Sequence, residues 1–301
     1  MRPAIVHHPA YVAPLPPGHR FPMPKFGFLF RLLQAQGLAP AERVFTAAPA
    51  PRGWLELAHD PAYVSAVLER RLAPEAERRL GLPLNEALVL RGRCAVAGTV
   101  LAGRLALEGG IACNMAGGSH HAHEGFGAGF CLFNDVAVAA RLLLAEGAVR
   151  RVLVVDLDVH QGDGTATILN GDPGVFTLSI HCRTNFPARK AESSLDVPLD
   201  PGTGDAAYLN VVQNLLPSLI ETQRPDLVFY NAGVDPHERD RLGRLKLTDA
   251  GLMARETLVL DACRRSGTPV ACVVGGGYGT DPNEVAARHA VLHRAAAALP
   301  G

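Results

Sequence analysis

The chain has 301 residues, 48% of them apolar and 19% charged, which supplies a buried core and gives no indication of disorder. Its 29 basic and 29 acidic residues cancel, so no basic excess points to nucleic acid as a direct partner. No run approaches the ~20 apolar residues of a membrane-spanning helix. Residues 1–11 lack a secretory pattern, and the six cysteines form no CxxC pair, so we expect a cytoplasmic protein with reduced thiols.

Strand and helix patterns alternate along the chain. In chain order they predict a strand over residues 4–7, a helix over 26–36, strand 43–46, helix 85–107, strand 111–114, helix 134–146, strands 152–156 and 175–180, helix 206–222, strand 227–231, helix 248–266, strand 270–274 and helix 282–298. The later strands are continuous apolar runs rich in β-branched residues, which is typical of strands buried on both faces. The alternation predicts an α/β fold with a mostly parallel sheet and helices on both faces.

Two segments that interrupt this alternation are interpreted as loops. Residues 9–24 are rich in proline, and residues 69–82 are rich in arginine and glutamate. Both are too short to separate domains. Residues 1–301 are therefore predicted to form a single domain.

Chemically active side chains directly follow four of the predicted strands. The segments are Gly117-Gly118-Ser119-His120-His121, then residues 156–164, then Asn231-Ala232-Gly233-Val234-Asp235, and Gly275-Gly276-Gly277-Tyr278. In open α/β sheets, ligands bind outside the carboxyl ends of the strands. The four segments are therefore expected to meet in one site.

Asp158, His160 and Asp235 are predicted to bind a metal ion. Asp158 and His160 are two residues apart, so on an extended segment they point to the same side, and Asp235 adds a ligand from another strand end. This set leaves a coordination position for water or substrate, as catalytic zinc sites do. The alternative is that Asp158 and His160 cap a helix or pair locally. Several carboxylates crowd one buried strand end, which is costly without a cation, so the metal is favoured.

His120 and His121 are candidates for acid–base catalysis, although adjacent histidines are more often loop residues. The glycines at 117 and 118 allow the backbone to approach a site closely. Asp156 and Asp163 are available to fix the histidine tautomers through the distal ring nitrogens.

Tyr278 follows three glycines at a strand end, where a tyrosine is usually a core residue. Beside a hydrolytic metal, its phenol is suited to donate a hydrogen bond to a carbonyl oxygen that gains negative charge. We therefore predict an oxyanion-stabilising role for Tyr278.

Taken in order and spacing, the four segments resemble the motifs of the histone deacetylase superfamily, which includes acetoin-utilisation proteins and acetylpolyamine amidohydrolases. The resemblance runs from about His7 to about Gly279 and also rests on residues 129–138 and 240–243. Residues 18–23 and 80–83 are most similar to the class IV-like branch with its bacterial amidohydrolases. The resemblance implies a three-layer α/β/α sandwich of the arginase–deacetylase kind.

The resemblance also implies a role for each matching residue. One Zn²⁺ per chain, or alternatively Fe²⁺, would be bound by Asp158, His160 and Asp235. His121 would act as general base and then acid, His120 would assist electrostatically, Tyr278 would polarise the scissile carbonyl, and Asp156 and Asp163 would support the histidines. A structural K⁺ would neutralise an otherwise unpaired Asp156; the residues that would bind it are Asp156, Asp158, His160, Ser179 and Ile180.

The predicted activity is the removal of an acetyl or longer acyl group from an amine, by water activated on the metal. The substrate would be an acyl-lysine or an acetylated small amine, and the bond a C–N bond other than a peptide bond. A non-catalytic acyl-lysine or metabolite-binding module needs a decayed catalytic set, and the set is complete. An arginase-like dinuclear enzyme needs more bridging carboxylates than the segments offer. Whether the chain forms an oligomer stays open.

The predicted substrate channel departs from the family in one place. Gly129 and Phe130 are expected to form one wall, but where many members have a second aromatic before Pro-Gly-Thr-Gly-Asp, this chain has Leu199 and Asp200. The opposite wall is therefore expected to be wider or more polar, with Asp200 attracting a cationic amine. The equally weighted alternative is that Asp200 only caps the following turn.

Overall fold

The computed structural model describes residues 3–299. Eight strands form one sheet in which every pairing is parallel, in the order β2-β1-β3-β8-β7-β4-β5-β6. The strands are β1 Ala4–Val6, β2 Val44–Phe45, β3 Ile111–Asn114, β4 Val152–Asp156, β5 Val175–Cys182, β6 Leu195–Leu199, β7 Leu227–Asn231 and β8 Val270–Val273. The predicted parallel sheet is confirmed.

Ten α-helices accompany the sheet in this part of the chain. They are α1 Lys25–Ala35, α2 Arg52–Leu55, α3 Pro61–Leu68, α4 Pro74–Leu80, α5 Glu86–Gly109, α6 Asp135–Ala145, α7 Asp163–Leu169, α8 Asp205–Gln223, α9 Asp249–Ser266 and α10 Pro282–Ala298. Side-chain caps begin several of them, as Asn134 does for α6 and Thr248 does for α9. No helix between residues 3 and 299 combines the length and apolarity needed to cross a membrane.

The long helices cover both faces of the sheet, because successive side chains of a strand point to opposite faces. Phe229 of β7 lies beside Gly103 of α5. The next residue, Tyr230, donates a 2.6 Å hydrogen bond to Glu256 of α9. Helices α5 and α9 therefore lie on opposite faces, which gives the three-layer arrangement.

The strands and long helices predicted from the sequence are present, with ends shifted by one or two residues. Strand β6 was not predicted, because Pro198 interrupts its pattern and only the edge position of β6 accommodates a proline. Helix α4 lies inside the segment expected to be a loop, and α2, α3 and α7 were also missed. These helices have four to eight residues, too few to display a helical period.

Candidate metal centre and active site

The four predicted segments meet at the carboxyl ends of four neighbouring strands, β3, β8, β7 and β4. These strands come from residues 111 to 273, yet they are adjacent in the sheet. The parallel arrangement therefore brings the histidines, the acidic residues and Tyr278 to one edge, as expected.

Asp158, His160 and Asp235 converge there, and their ligand atoms all lie within 4.8 Å of one another. His160 Nδ1 is 3.0 Å from Asp158 Oδ1 and 3.0 Å from Asp235 Oδ2. All three side chains are buried. Burial alone would lower the pKa of His160, but the charges of Asp235 and Asp158 raise it to about 10. Two buried carboxylates thus face His160, an arrangement that favours a bound cation.

The donor set fits a divalent metal. Asp235 Oδ2 is buried and accepts no well-directed hydrogen bond from any residue between 3 and 299, which is costly unless an ion completes it. The other carboxylate oxygens are fixed by backbone donors, 2.8 Å from Val159 N to Asp235 Oδ1 and 2.7 Å from Gly276 N to Asp158 Oδ2. A Cβ on Gly276 would overlap Asp235 Oδ2, so only glycine lets the backbone come this close.

His121 is a neutral imidazole with a free ring nitrogen. Its Nδ1 donates a 2.6 Å hydrogen bond to Asp163 Oδ1, because an ionised carboxylate can only accept. Burial, and then the charge of His120, lowers the pKa of His121 to about 3. Its Nε2 has no hydrogen-bond partner in the described part of the chain. His121 can therefore accept a proton at Nε2.

His120 differs from His121 in charge, although their ring centroids are 4.1 Å apart. Its Nδ1 is 2.7 Å from Asp156 Oδ2. Burial lowers the pKa of His120, but the charges of Asp156 and Asp158 outweigh it and raise the pKa to about 9. The two carboxylates therefore favour a proton on His120, beside the neutral His121.

Two supporting residues were not predicted. His123 Nε2 donates a 3.0 Å hydrogen bond to Asp163 Oδ2, which fixes the carboxylate that orients His121. Asn231 Nδ2 donates a 3.0 Å hydrogen bond to Asp156 Oδ1. The sequence signal available for these two residues was their position. His123 lies three residues after His120, and Asn231 lies four residues before Asp235.

Tyr278 is buried in the same cavity, with its ring perpendicular to that of His160 at 6.2 Å. Burial, and then the charges of Asp235 and Asp158, holds the pKa of its hydroxyl well above the usual range. The hydroxyl therefore stays protonated and can donate a hydrogen bond. The backbone N of Tyr278 donates to Asp240 Oδ2 at 2.7 Å, which fixes the loop.

Lys25 binds the backbone of Gly275–Gly277, and it is not among the residues predicted from the sequence. It is buried, and its Nζ donates hydrogen bonds of 3.1 Å to the Gly275 carbonyl and 3.2 Å to the Gly277 carbonyl. Burial lowers the pKa of Lys25 to about 8. Lys25 therefore positions the turn that carries Tyr278.

A cavity of about 520 Å³ opens over these groups, lined by His121, His160 and Tyr278 at its base. Gly129 and Phe130 line one wall, as predicted. Phe186 lines the cavity as well, with its ring perpendicular to that of His121 at 4.7 Å. Phe186 therefore supplies the second aromatic side chain that positions 199 and 200 lack. The aromatic comes from the loop between β5 and β6.

Asp200 lies elsewhere and does not line the cavity. Its carboxylate forms an ion pair with Arg183 at 3.0 Å, and its carbonyl accepts hydrogen bonds from the backbone and side chain of Thr203. The expected attraction of a cationic amine by Asp200 is corrected accordingly. Asp200 is a turn residue, the alternative given equal weight above.

The expected reason for a potassium ion is also corrected, because Asp156 is not unpaired. Besides His120 and Asn231, it accepts a 3.2 Å hydrogen bond from Asp158 N. Ser179 is the register partner of Asp156 on β5, and Ser179 and Ile180 are both buried.

The chain is similar to known proteins in sequence and in fold. The histone deacetylase domain matches residues 19–294. The chain belongs to the histone deacetylase family. It is 51% identical over 292 residues to an uncharacterized protein of Picosynechococcus sp., with 97% of each chain covered. It is 31% identical over 270 residues to histone deacetylase 2 of Arabidopsis thaliana, covering 86% of this chain and 70% of that one.

The fold of the family is shared as well. A crystal structure of an HDAC homologue complexed with SAHA superposes with a TM-score of 0.86 and 25% identity, covering 99% of this chain and 84% of the other. The arginase–deacetylase fold expected from the sequence is confirmed. The chain is therefore a hydrolase of the histone deacetylase family.

Proposed function

We propose that the protein is a zinc-dependent deacylase that removes an acetyl or longer acyl group from an amine. The observation that carries the proposal is that Asp158, His160 and Asp235 form one cluster, and that His160 lines the same cavity as the neutral His121 and the protonated Tyr278. Zinc, with Fe²⁺ as the alternative, bound by Asp158, His160 and Asp235 would polarise the scissile carbonyl and lower the pKa of water towards ~7.

The chain's own residues divide the remaining chemistry. His121 accepts the proton of the attacking water at Nε2 and returns it to the leaving amine. Asp163 holds the tautomer that keeps Nε2 available. His120 adds positive charge as the carbonyl oxygen becomes negative, and the Tyr278 hydroxyl donates a hydrogen bond to that oxygen.

Phe130 and Phe186 give the upper cavity aromatic surface. An aliphatic amine stem fits between such walls, and the SAHA complex of the related HDAC homologue supports an acylated-amine ligand. We further propose that the chain acts as one domain, because all eight strands contribute to one sheet, and that K⁺ binds beside Asp156 and Ser179. The check on potassium is a higher melting temperature in KCl than in tetramethylammonium chloride of equal strength.

The test of the activity uses chelated protein reloaded with Zn²⁺ or Fe²⁺ and four substrate classes: an acetyl-lysine peptide, a long-chain acyl-lysine peptide, an acetylated polyamine and an acetylated small amine. Turnover should return with the metal. His121→Ala should keep the metal but lose roughly 10²–10⁴-fold in kcat, because base and acid functions disappear together. Full metal occupancy without turnover in any class would instead establish a binding module.

A dinuclear centre is not supported. Among residues 3–299, the group of Asp158, His160 and Asp235 is the one cluster of three or more histidine, cysteine or acidic residues with metal-binding geometry. Metal analysis of the reloaded protein should therefore give about one ion per chain.

A further inference from the structure

Arginines surround the mouth of the active-site cavity. Arg20, Arg78, Arg79 and Arg244 line it, and all four are exposed. No aspartate or glutamate is found among the described residues that line this cavity. The triad carboxylates lie deeper, where a divalent metal would balance them.

The arginines come from three separate segments of the chain that line the cavity. Arg20 lies over the face of Phe130, with its guanidinium carbon 5.0 Å from the ring centroid, and Arg79 follows from the end of α4. Arg244 lies near the loop of Phe186, because its backbone N donates to Asn185 Oδ1. A ligand that extends out of the cavity therefore meets positive charge contributed by separate segments.

Most of this charge has no acidic partner. Arg78 forms an ion pair with Glu75 at 2.7 Å. No ion pair of Arg20, Arg79 or Arg244 with an acidic residue is found between residues 3 and 299. The carboxylate that could have offset them, Asp200, is paired with Arg183.

Resting on the proposed deacylase function, we propose that the substrate is an acylated amine whose stem ends in a carboxylate, which the three unpaired arginines bind at the mouth. Guanidinium groups present donors in a fork that matches a carboxylate. The same charge repels a cationic stem such as that of an acetylated polyamine. The carboxylate belongs either to a free acylated amino acid or to acidic residues that flank an acyl-lysine in a peptide.

The test compares three substrates of equal length that differ only at the end of the stem: N-acetyl-6-aminohexanoate, its uncharged amide, and N-acetylcadaverine. The zinc-loaded enzyme should favour the acid over the amide by about 10-fold in kcat/KM at low salt, as expected of two or three exposed charge contacts. N-acetylcadaverine should be the poorest substrate. Raising the salt concentration to 0.5 M should reduce the differences in kcat/KM among the three substrates.

Matched variants locate the effect. The combined Arg20→Gln, Arg79→Gln and Arg244→Gln variant should bring the acid-to-amide ratio close to one, whereas Arg150→Gln should keep the wild-type ratio. Arg150 is exposed just before β4, at the other end of the sheet. The ratio is the readout because it cancels any general loss of activity.

The outcomes separate this inference from the proposed function. Hydrolysis of all three compounds with equal kcat/KM, a preference for N-acetylcadaverine, or an unchanged ratio in the triple variant overturns the substrate assignment alone. Absence of turnover on every compound and peptide overturns the deacylase proposal itself. Acetyl-lysine peptides flanked by aspartate identify the source: a peptide favoured over N-acetyl-6-aminohexanoate places the carboxylate on a protein, and the reverse places it on a small molecule.

Discussion

Cavities lie at both ends of the sheet, and the larger one holds no catalytic set. The cavity at the amino ends of β7 and β8 measures about 990 Å³, against about 520 Å³ for the one above the triad. Asp226, Asp261 and Arg265 line the larger cavity, and each of these three charged groups has a hydrogen-bond or ion-pair partner nearby.

The acidic residues of the two cavities show the difference. Asp261 pairs with Arg264 at 2.8 Å and with Arg265 at 2.6 Å, and the hydrogen bond from Arg264 lowers its pKa. Asp235 is fully buried, and burial followed by the charge of Asp158 raises its pKa to about 7. An acid that folding leaves buried and incompletely paired therefore marks the functional end better than volume does.

The largest difference between the two ends of the sheet is expected when one acidic residue is removed at each end. Asp235→Ala should lose the metal and at least roughly 10³-fold in kcat/KM, because metal polarisation supplies several kcal/mol of transition-state stabilisation. Asp261→Ala should retain the metal content and the kcat/KM of the wild type within about twofold, because the ion pairs of Asp261 are partly exposed. Metal content by mass spectrometry and steady-state kinetics measure this. Full occupancy in Asp235→Ala would contradict the triad.

The triad could be predicted from the sequence because its ligands directly follow strands, where parallel packing fixes their position. Phe186 could not. It lies in an irregular loop and reaches His121 across 65 positions of the chain, which no periodicity encodes. The mouth arginines likewise come from three separate segments, and the unpaired state of their charges emerges only from the fold. Helix α4, which carries Arg79 close to the mouth, has no apolar stripe in the sequence.

A smaller effect is expected from paired tyrosine substitutions. Tyr278→Phe should lose roughly 10²–10³-fold in kcat with little change in metal content, the scale of one oxyanion donor. Tyr63→Phe also removes a buried hydroxyl, which donates to the Leu132 carbonyl at 2.7 Å outside the cavity lining. It should leave kcat unchanged and lower stability by about 1 kcal/mol. Equal kcat in both variants would argue against the role of Tyr278.

The smallest expected effect is on acid stability. His59 supports the segment that carries the histidine pair: its Nδ1 donates to the His123 carbonyl at 2.9 Å, and its Nε2 accepts from Asn134 N at 2.9 Å. Burial lowers the pKa of His59 from 6.5 to about 4. The unfolded chain therefore binds more protons between these values, and stability should fall as the pH drops from 6.5 to 4.

His59→Gln provides the measurement. The substitution removes the titrating group, so up to about 3 kcal/mol of the acid-induced loss in unfolding free energy should disappear. Urea unfolding of metal-free wild type and variant at several pH values between 7 and 4 measures it. If the unfolding free energies of the two proteins changed in parallel with pH, His59 would not contribute to the loss of stability in acid.

The order of the strands also has a consequence for how the chain folds during synthesis. Strand β8 lies between β3 and β7, so the two halves of the sheet are joined by residues 270–273, which are synthesised after the other seven strands. Until then, β3 and β7 each present an unpaired apolar edge of the kind that favours aggregation. The sheet therefore cannot be completed before the last of its eight strands is made, and such long-range pairing is intrinsically slow. The catalytic edge is consequently completed in the last step, when β8 inserts and brings Tyr278 to the acidic residues that were made first.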